Sequence, residues 1–339
     1  MKAVRYSHSL AQIPLRLSLV FAIFPACFLA VAMFCSAAQA DSGERWEQDP
    51  LELDVNAGIG FYQGELQWSI ASDISGTVTP NILSELTYAD IEYETFETDG
   101  TLRFNRGFLS GFQLEAYFLA GEASGGRNQD SDYDGDNRTQ EYSRSYSEAK
   151  GSEITRVESI IGYRIKLSEN LTIIPKMAYA YNEQHLKMTR GVQVIDTRTH
   201  ALSLGPFDGN LNSTYTAEWE GLWFGGALQW RVPKHLLSLE LQAHWLDYYA
   251  EANWNLRDDF AHPVSFAHWS EASGFRWALQ YQYYFHTRFS AWLNISGESF
   301  EADPGRDVVY FADGSRGATR LNGVTWDSSG YALGVAINF

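Results

Sequence analysis

The sequence predicts an all-β fold: a transmembrane antiparallel barrel of about ten strands with both termini on the periplasmic side. Three observations predict it. Segments of about ten residues alternate between an apolar and a small or polar face, the period of two of a strand with lipid on one side. No apolar run after residue 40 approaches the roughly 20 residues that a spanning helix needs. The links between the segments alternate strictly between short and long, the asymmetry of a barrel with tight periplasmic turns and extended outer loops.

Residues 1–40 read as a secretory signal that is removed. They carry the cations Lys2, Arg5 and Arg16, no acidic residue, an apolar stretch from Leu17 to Cys35, and the small-residue ending Ala38-Gln39-Ala40. The whole chain has 25 Lys plus Arg and 42 Asp plus Glu, a formal charge of −17. Without the signal the balance is 22 − 42 = −20. Both cysteines, Cys27 and Cys35, leave with it. Disulfides, a thiolate nucleophile and a Cys-bound zinc are therefore excluded from residues 41–339, the single barrel domain. So acidic a chain also lacks the cationic surplus that phosphate contacts need, and nucleic acid is not an expected partner.

The strands follow in chain order. Leu51, Leu53, Val55, Ala57, Ile59 and Phe61 alternate with Glu52, Asp54, Asn56, Gly58 and Gly60. The second strand, about 82–105, slips its alternation between Tyr88 and Ile91, which suggests a bulge. Phe112, Leu114, Ala116 and Phe118 face away from Gln113, Glu115 and Tyr117, and Val157, Ile161, Tyr163 and Ile165 face away from Arg156, Glu158 and Arg164. The same alternation runs through Leu237–Trp245 and Phe275–Phe285. The last strand sets Tyr331, Leu333, Val335, Ile337 and Phe339 against Gly330, Ala332, Gly334, Ala336 and Asn338. A final strand ending on an aromatic resembles the assembly signal of bacterial outer-membrane barrels. It implies the outer membrane as location, the barrel assembly machinery as a partner, and lipid and lipopolysaccharide as surroundings.

Short links are expected near 106–111, 168–170, 233–236 and 286–288, and long ones near 63–81, 121–152, 190–212, 257–272 and 301–326. Ten strands lie close to the size at which side chains fill the interior. The inward set Glu52, Asp54, Glu115, Arg156, Glu158, Arg164, Lys166, Glu240 and Arg276 therefore predicts a lumen closed by charge-assisted hydrogen bonds.

The densest chemistry falls in the second long link. Asp130, Asp132 and Asp134, then Gly135 and Glu141, have the D-x-D-x-D-G-x5-E spacing of a calcium loop, with Asp136 as a further oxygen donor. Three carboxylates at alternate positions converge on a hard cation only if Gly135 turns the chain sharply. No helix flanks the motif, and Asn137 stands where such loops place an apolar residue, so Ca2+ is set against a solvated acidic loop tip.

An Asp-x-Asp pair just after the third of ten strands also resembles the omptins, the outer-membrane endopeptidases. That resemblance implies that Asp130 and Asp132 face an Asp-His pair from the loop after the seventh strand and activate a water against a peptide bond. The loop NWNLRDDFAHPVSFAHW supplies Asp258, Asp259, His262 and His268, with Asp259 and His262 as the implied pair. The family places its Asp and His two apart, whereas these are three apart. The stretch QDSDYDGDNRTQEYSRSYSEAKG, residues 129–151, is similar to the omptin-like family named for a Protochlamydia outer membrane protein, through DSDY, GDNRT and SRS in the same order. That likeness implies a barrel to part of whose group pore formation is attributed, which conflicts with a closed lumen. Three functions follow as expectations: a structural or interaction barrel with acidic outer loops, an omptin-like endopeptidase, and a small-solute or cation-selective porin.

Overall fold

Ten antiparallel staves close into a ring in the computed structural model, which describes residues 49–198, 204–207 and 209–339. The export signal and both cysteines lie outside the described residues. The strands are β1 (Leu51–Ile70), β2 (Ser84–Phe104), β3 (Phe112–Gly135), β4 (Thr139–Glu148), β5 (Glu153–Tyr163), β6 (Ile165–Lys166) and β7 (Leu171–Asp196). They continue with β8 (Gly205–Pro206), β9 (Ser213–Val232), β10 (His235–Asn253), β11 (Phe266–Tyr284), β12 (Phe289–Ala302), β13 (Gly305–Tyr310) and β14 (Arg316–Asn338). The staves run β1, β2, β3, β5, β7, β9, β10, β11, β12 and β14, and β14 returns to pair with β1. Closure leaves no open sheet edge in lipid, so the backbone of the wall bonds strand to strand around the ring.

The four short turns fall where the alternation predicts them, at the end that also carries the start of β1 and the end of β14. The bulge in the second strand is present: the β2–β3 register shifts between Ala89 and Tyr93, and Asp90 has φ 53°. The long links are shorter than expected. Most of the segment expected as loop 121–152 is strand, because β3 runs on to Gly135 and β4 returns from Thr139. Likewise β1 continues to Ile70, β11 begins at Phe266, and β13 and β14 occupy much of 301–326.

The reason is a reversal of polarity partway along each stave. In β9, Leu222, Phe224, Leu228 and Trp230 face outward and are exposed, as lipid contact requires. One turn of the pleat further out, Tyr215, Ala217 and Trp219 are fully buried inside while Glu218 and Glu220 point outward. The same switch separates Phe61 from Glu65 in β1, Phe96 from Glu94 in β2, and Phe275 from Glu271 in β11. Below the switch the barrel has a membrane wall. Above it the barrel has the apolar-in, polar-out pattern of a water-soluble sheet. A lipid-facing stripe therefore ends at the membrane, although the strand does not.

The lumen follows the same division. Its lower part holds the predicted charges. Lys176 Nζ reaches Glu115 at 2.9 Å and Glu240 at 2.7 Å, and Arg276 Nη1 reaches Glu158 at 3.1 Å. Arg156 pairs with Glu298, and Arg103 bonds Glu52 at 3.1 Å and also pairs with Asp54. The indoles of Trp223 and Trp326 donate to Glu158 and Glu298 at 3.0 and 2.8 Å. Two members of the expected set lie elsewhere. Arg164 donates to Asn105 Oδ1 at 2.7 Å at the short-turn end, and Lys166 is exposed in β6, next to the short turn before β7. The upper part is an apolar and aromatic core around Leu66, Trp68, Tyr88, Tyr215, Trp219, Tyr248, Phe300 and Trp326. The membrane half of the lumen is thus filled by ion pairs, and the upper half mainly by aromatic and apolar side chains, with Asp130, Asp132 and the His268–Asp307 pair as its buried polar groups.

Candidate functional site

The candidate residues gather at the wide mouth, above the aromatic core. β3 carries Asp130 and Asp132 two residues apart, so both carboxylates point to the same face. The register aligns Trp68, Leu86, Asp130 and Ser145 in one cross-strand row, and Ile70, Ser84, Asp132 and Ser143 in the next. Leu86 is fully buried in the barrel core, which fixes this face as the inner one. Asp132 accepts from the hydroxyls of Ser84 and Ser143, and Arg257 faces both aspartates from the loop between β10 and β11.

Burial raises the carboxyl of Asp130 well above its ordinary range, and the charge of Asp132 beside it adds to the rise. Burial also raises Asp132, while the Ser84 hydroxyl and the charge of Arg257 oppose the shift. The pair therefore holds a proton more readily than free aspartates do.

The opposite loop is arranged differently from the expected Asp-His pair. Arg257 grips Asp259 through both carboxylate oxygens at 2.9 and 2.8 Å, and its guanidinium lies 4.2 Å from the Phe260 ring centre. That hydrogen bond holds the Asp259 carboxyl below the usual carboxylate range. His262 is exposed, and its Nδ1 meets Asn253 Oδ1 at 2.8 Å. Asp259 is thus committed to Arg257, and the His262 ring is oriented by a neutral amide. The structure brings Asp130 and Asp132 together but does not join Asp259 to His262.

A buried histidine lies lower in the mouth. His268, fully buried on β11, has Nδ1 2.9 Å from the Tyr215 hydroxyl and Nε2 3.3 Å from Asp307 Oδ1. Tyr215 in turn meets the Tyr248 hydroxyl at 2.5 Å, and Trp68 packs edge-on to the imidazole at 5.1 Å. Asp307 sits on β13 directly opposite His268 in the β11–β13 register. The sequence carried one signal for this pair, the continuation of the inward alternation of β11 from Arg276 back to His268. No local spacing links His268 to Asp307.

The carboxylates of the calcium spacing diverge. Asp130 and Asp132 point inward. Asp134 is 2.6 Å from Arg198, whose guanidinium lies 3.3 Å from the Tyr142 ring centre. Asp136 accepts from Thr79 Oγ1 at 3.0 Å and from the Asn81 amide at 2.9 Å, and Glu141 takes Arg144 through both oxygens at 2.7 and 2.6 Å. Gly135 is extended at φ −120°, ψ 161°, so it does not make the expected sharp turn. The reversal is made by Asn137 and Arg138, both at positive φ. Among the described residues no group of three or more His, Asp or Glu is placed to hold a metal ion.

Ten closed staves, a lipid-facing apolar wall and short turns at one end define an outer-membrane β-barrel. The family model described as Pom, Protochlamydia outer membrane protein, matches residues 56–339, and the chain belongs to that family. Its fold is similar to that of the outer membrane protease OmpT of Escherichia coli, with a TM-score of 0.70 at 10% identity over 88% of this chain and 99% of the other. It is also matched to the translocator domain of the autotransporter NalP of Neisseria meningitidis, with a TM-score of 0.35 at 11% identity over 95% and 97% of the two chains. No curated protein matches the sequence.

Proposed function

We propose that this outer-membrane barrel is a closed scaffold that acts through its extracellular surface, in an interaction or structural role, and does not pass solutes. The observation that carries this reading is the filled lumen. Ion pairs cross it in the membrane half, and the aromatic core fills it above. A cavity between these layers, lined by Tyr62, Thr95, Arg156, Arg276 and Glu298 among others, measures about 20 Å³, roughly the room of one water. A porin reading would need this packing to open. Planar-bilayer recording tests the proposal, which expects no unitary conductance from the native protein.

One observation favours a second reading, an omptin-like endopeptidase: Asp130 and Asp132 share the inner face of the mouth with raised proton affinity, as water activation would use. Against it stand the commitment of Asp259 to Arg257 and the contact of His262 with Asn253. Hydrolysis of a fluorogenic peptide library by the folded protein, lost in Asp132→Asn, would establish it. Equal rates for the two proteins would remove it.

A further inference from the structure

A notch interrupts the lipid-facing wall where the polarity reverses. Two outward rows cross β11, β12, β14 and β1 there. The lower row is Trp277, Gly297, Ser329 and Gln63, and the upper is Phe275, Ser299, Asp327 and Glu65. Bulky rings stand at the β11 end, small residues in the middle and carboxylates at the β1 end. The result is a groove of about 410 Å³ lined by these side chains. With strands about 4.8 Å apart, it runs roughly 14 Å across the wall. The Trp277 indole packs over Gly297, where a Cβ would fall 2.9 Å from Nε1. Directly beneath lies an unbroken apolar row of Leu279, Ile295, Tyr331 and Phe61.

Glu65 and Asp327 are direct cross-strand neighbours, an arrangement that repels unless something lies between them. Among the described residues neither has a hydrogen-bond or ion-pair partner, and neither do the hydroxyls of Ser299 and Ser329. Gln63 and Asp90 at the rim are bonded to each other at 3.0 Å, and Asp90 also pairs with Arg127 at 2.9 Å.

We propose that this notch binds the headgroup of an outer-leaflet glycolipid, a sugar ring that carries a protonated amine. The ring lies against Trp277 and between the two serines, and its ammonium sits between Asp327 and Glu65. Its acyl chains run down over the apolar row below, which fixes a membrane-anchored source. An anionic phosphate head is disfavoured because the two rows contain no cation. A metal ion is disfavoured because the carboxylates do not form a converging set. A wholly apolar lipid would leave the two facing carboxylates uncompensated.

The test uses the full barrel in phosphatidylcholine nanodiscs doped with equal amounts of glucosaminyl and glucosyl diacylglycerol, with native mass spectrometry reading the retained lipids. The proposal expects the glucosaminyl lipid to exceed the glucosyl lipid about tenfold, the effect of one charge-assisted hydrogen bond. The double substitution Glu65→Gln with Asp327→Asn brings the two sugars to parity, and Ser299→Leu, which fills the notch, removes both. Folding of each variant is read from heat-modifiable migration, and the double variant still decides if the leucine variant fails to fold. Equal retention of both sugars by the native protein, unchanged retention by the double variant, or displacement of the lipid by free glucosamine overturns the proposal.

Discussion

Arg156 and Glu298 stand on diametrically opposed staves, the fourth and the ninth of ten, and their side chains pair across the barrel axis. Both are almost fully buried, and the same carboxylate also accepts from the Trp326 indole at 2.8 Å. A carboxylate so placed carries its charge only because cations meet it there. This cross-brace turns a ring of ten strands into a filled cylinder.

Replacing Arg156 by Ala leaves Glu298 buried with only the more distant Arg276, 3.9 Å away, to balance it. Breaking a buried pair from one side costs about 3–5 kcal/mol. The urea midpoint of unfolding in detergent should fall accordingly. In the double variant with Glu298→Gln part of that loss should return, since the orphan charge is gone.

The upper core should behave like that of a soluble protein. Trp219 is fully buried against Tyr248, with ring centres 4.4 Å apart, and donates to Gln184 at 2.8 Å. Trp219→Ala should cost about 3–5 kcal/mol, measured by the same unfolding midpoint. Trp245→Ala, which removes an exposed ring from the lipid wall, should change the detergent-solubilised midpoint little.

On the outer wall just above the membrane, burial and the neighbouring charges of Glu183, Glu220 and Glu251 push the Glu218 carboxyl up to about 7. A raised carboxyl favours the folded state while protonated. This contribution is complete below the ordinary glutamate range and is lost as pH rises through about 7. The apparent melting temperature should therefore drop between pH 5 and 8, and Glu218→Gln should flatten that drop. An identical pH profile in the variant would contradict the assignment.

In the mouth, the raised Asp130 and Asp132 should show a protonated carboxyl band by infrared spectroscopy at a pH where free aspartate is ionised. Asp132→Asn should remove the neighbouring charge and lower the titration of Asp130. An Asp130 band unmoved by that substitution would show that the two carboxylates do not interact.

How much of this was legible in the sequence depended on where lipid lies. From Leu237 to Trp245 and from Tyr331 to Phe339 the apolar face must meet the bilayer, so alternation alone fixed strand and inner face. It also placed Glu115, Glu158, Glu240 and Arg276 in the lumen. Above the membrane the same period of two persists with its faces exchanged. A reading keyed to an apolar outer stripe therefore mistook β4 and the ends of β3 and β11 for loops. The aspartate pair was legible through its calcium-loop spacing and the omptin resemblance, while its shared inner face followed only from the run of β3 on to Gly135. The Arg257 grip on Asp259 and the His268–Asp307 contact were not legible, since they depend on loop geometry and on a short strand, β13, that bridges β11 and β14.

The most direct test of a closed scaffold is single-channel recording of the purified protein in planar bilayers, beside a variant that lacks Arg156 and Arg276 together. A filled lumen predicts no unitary conductance from the native barrel at any holding potential, and steps only in the variant whose cross-braces are gone. Stable, resolved openings from the native protein would contradict it.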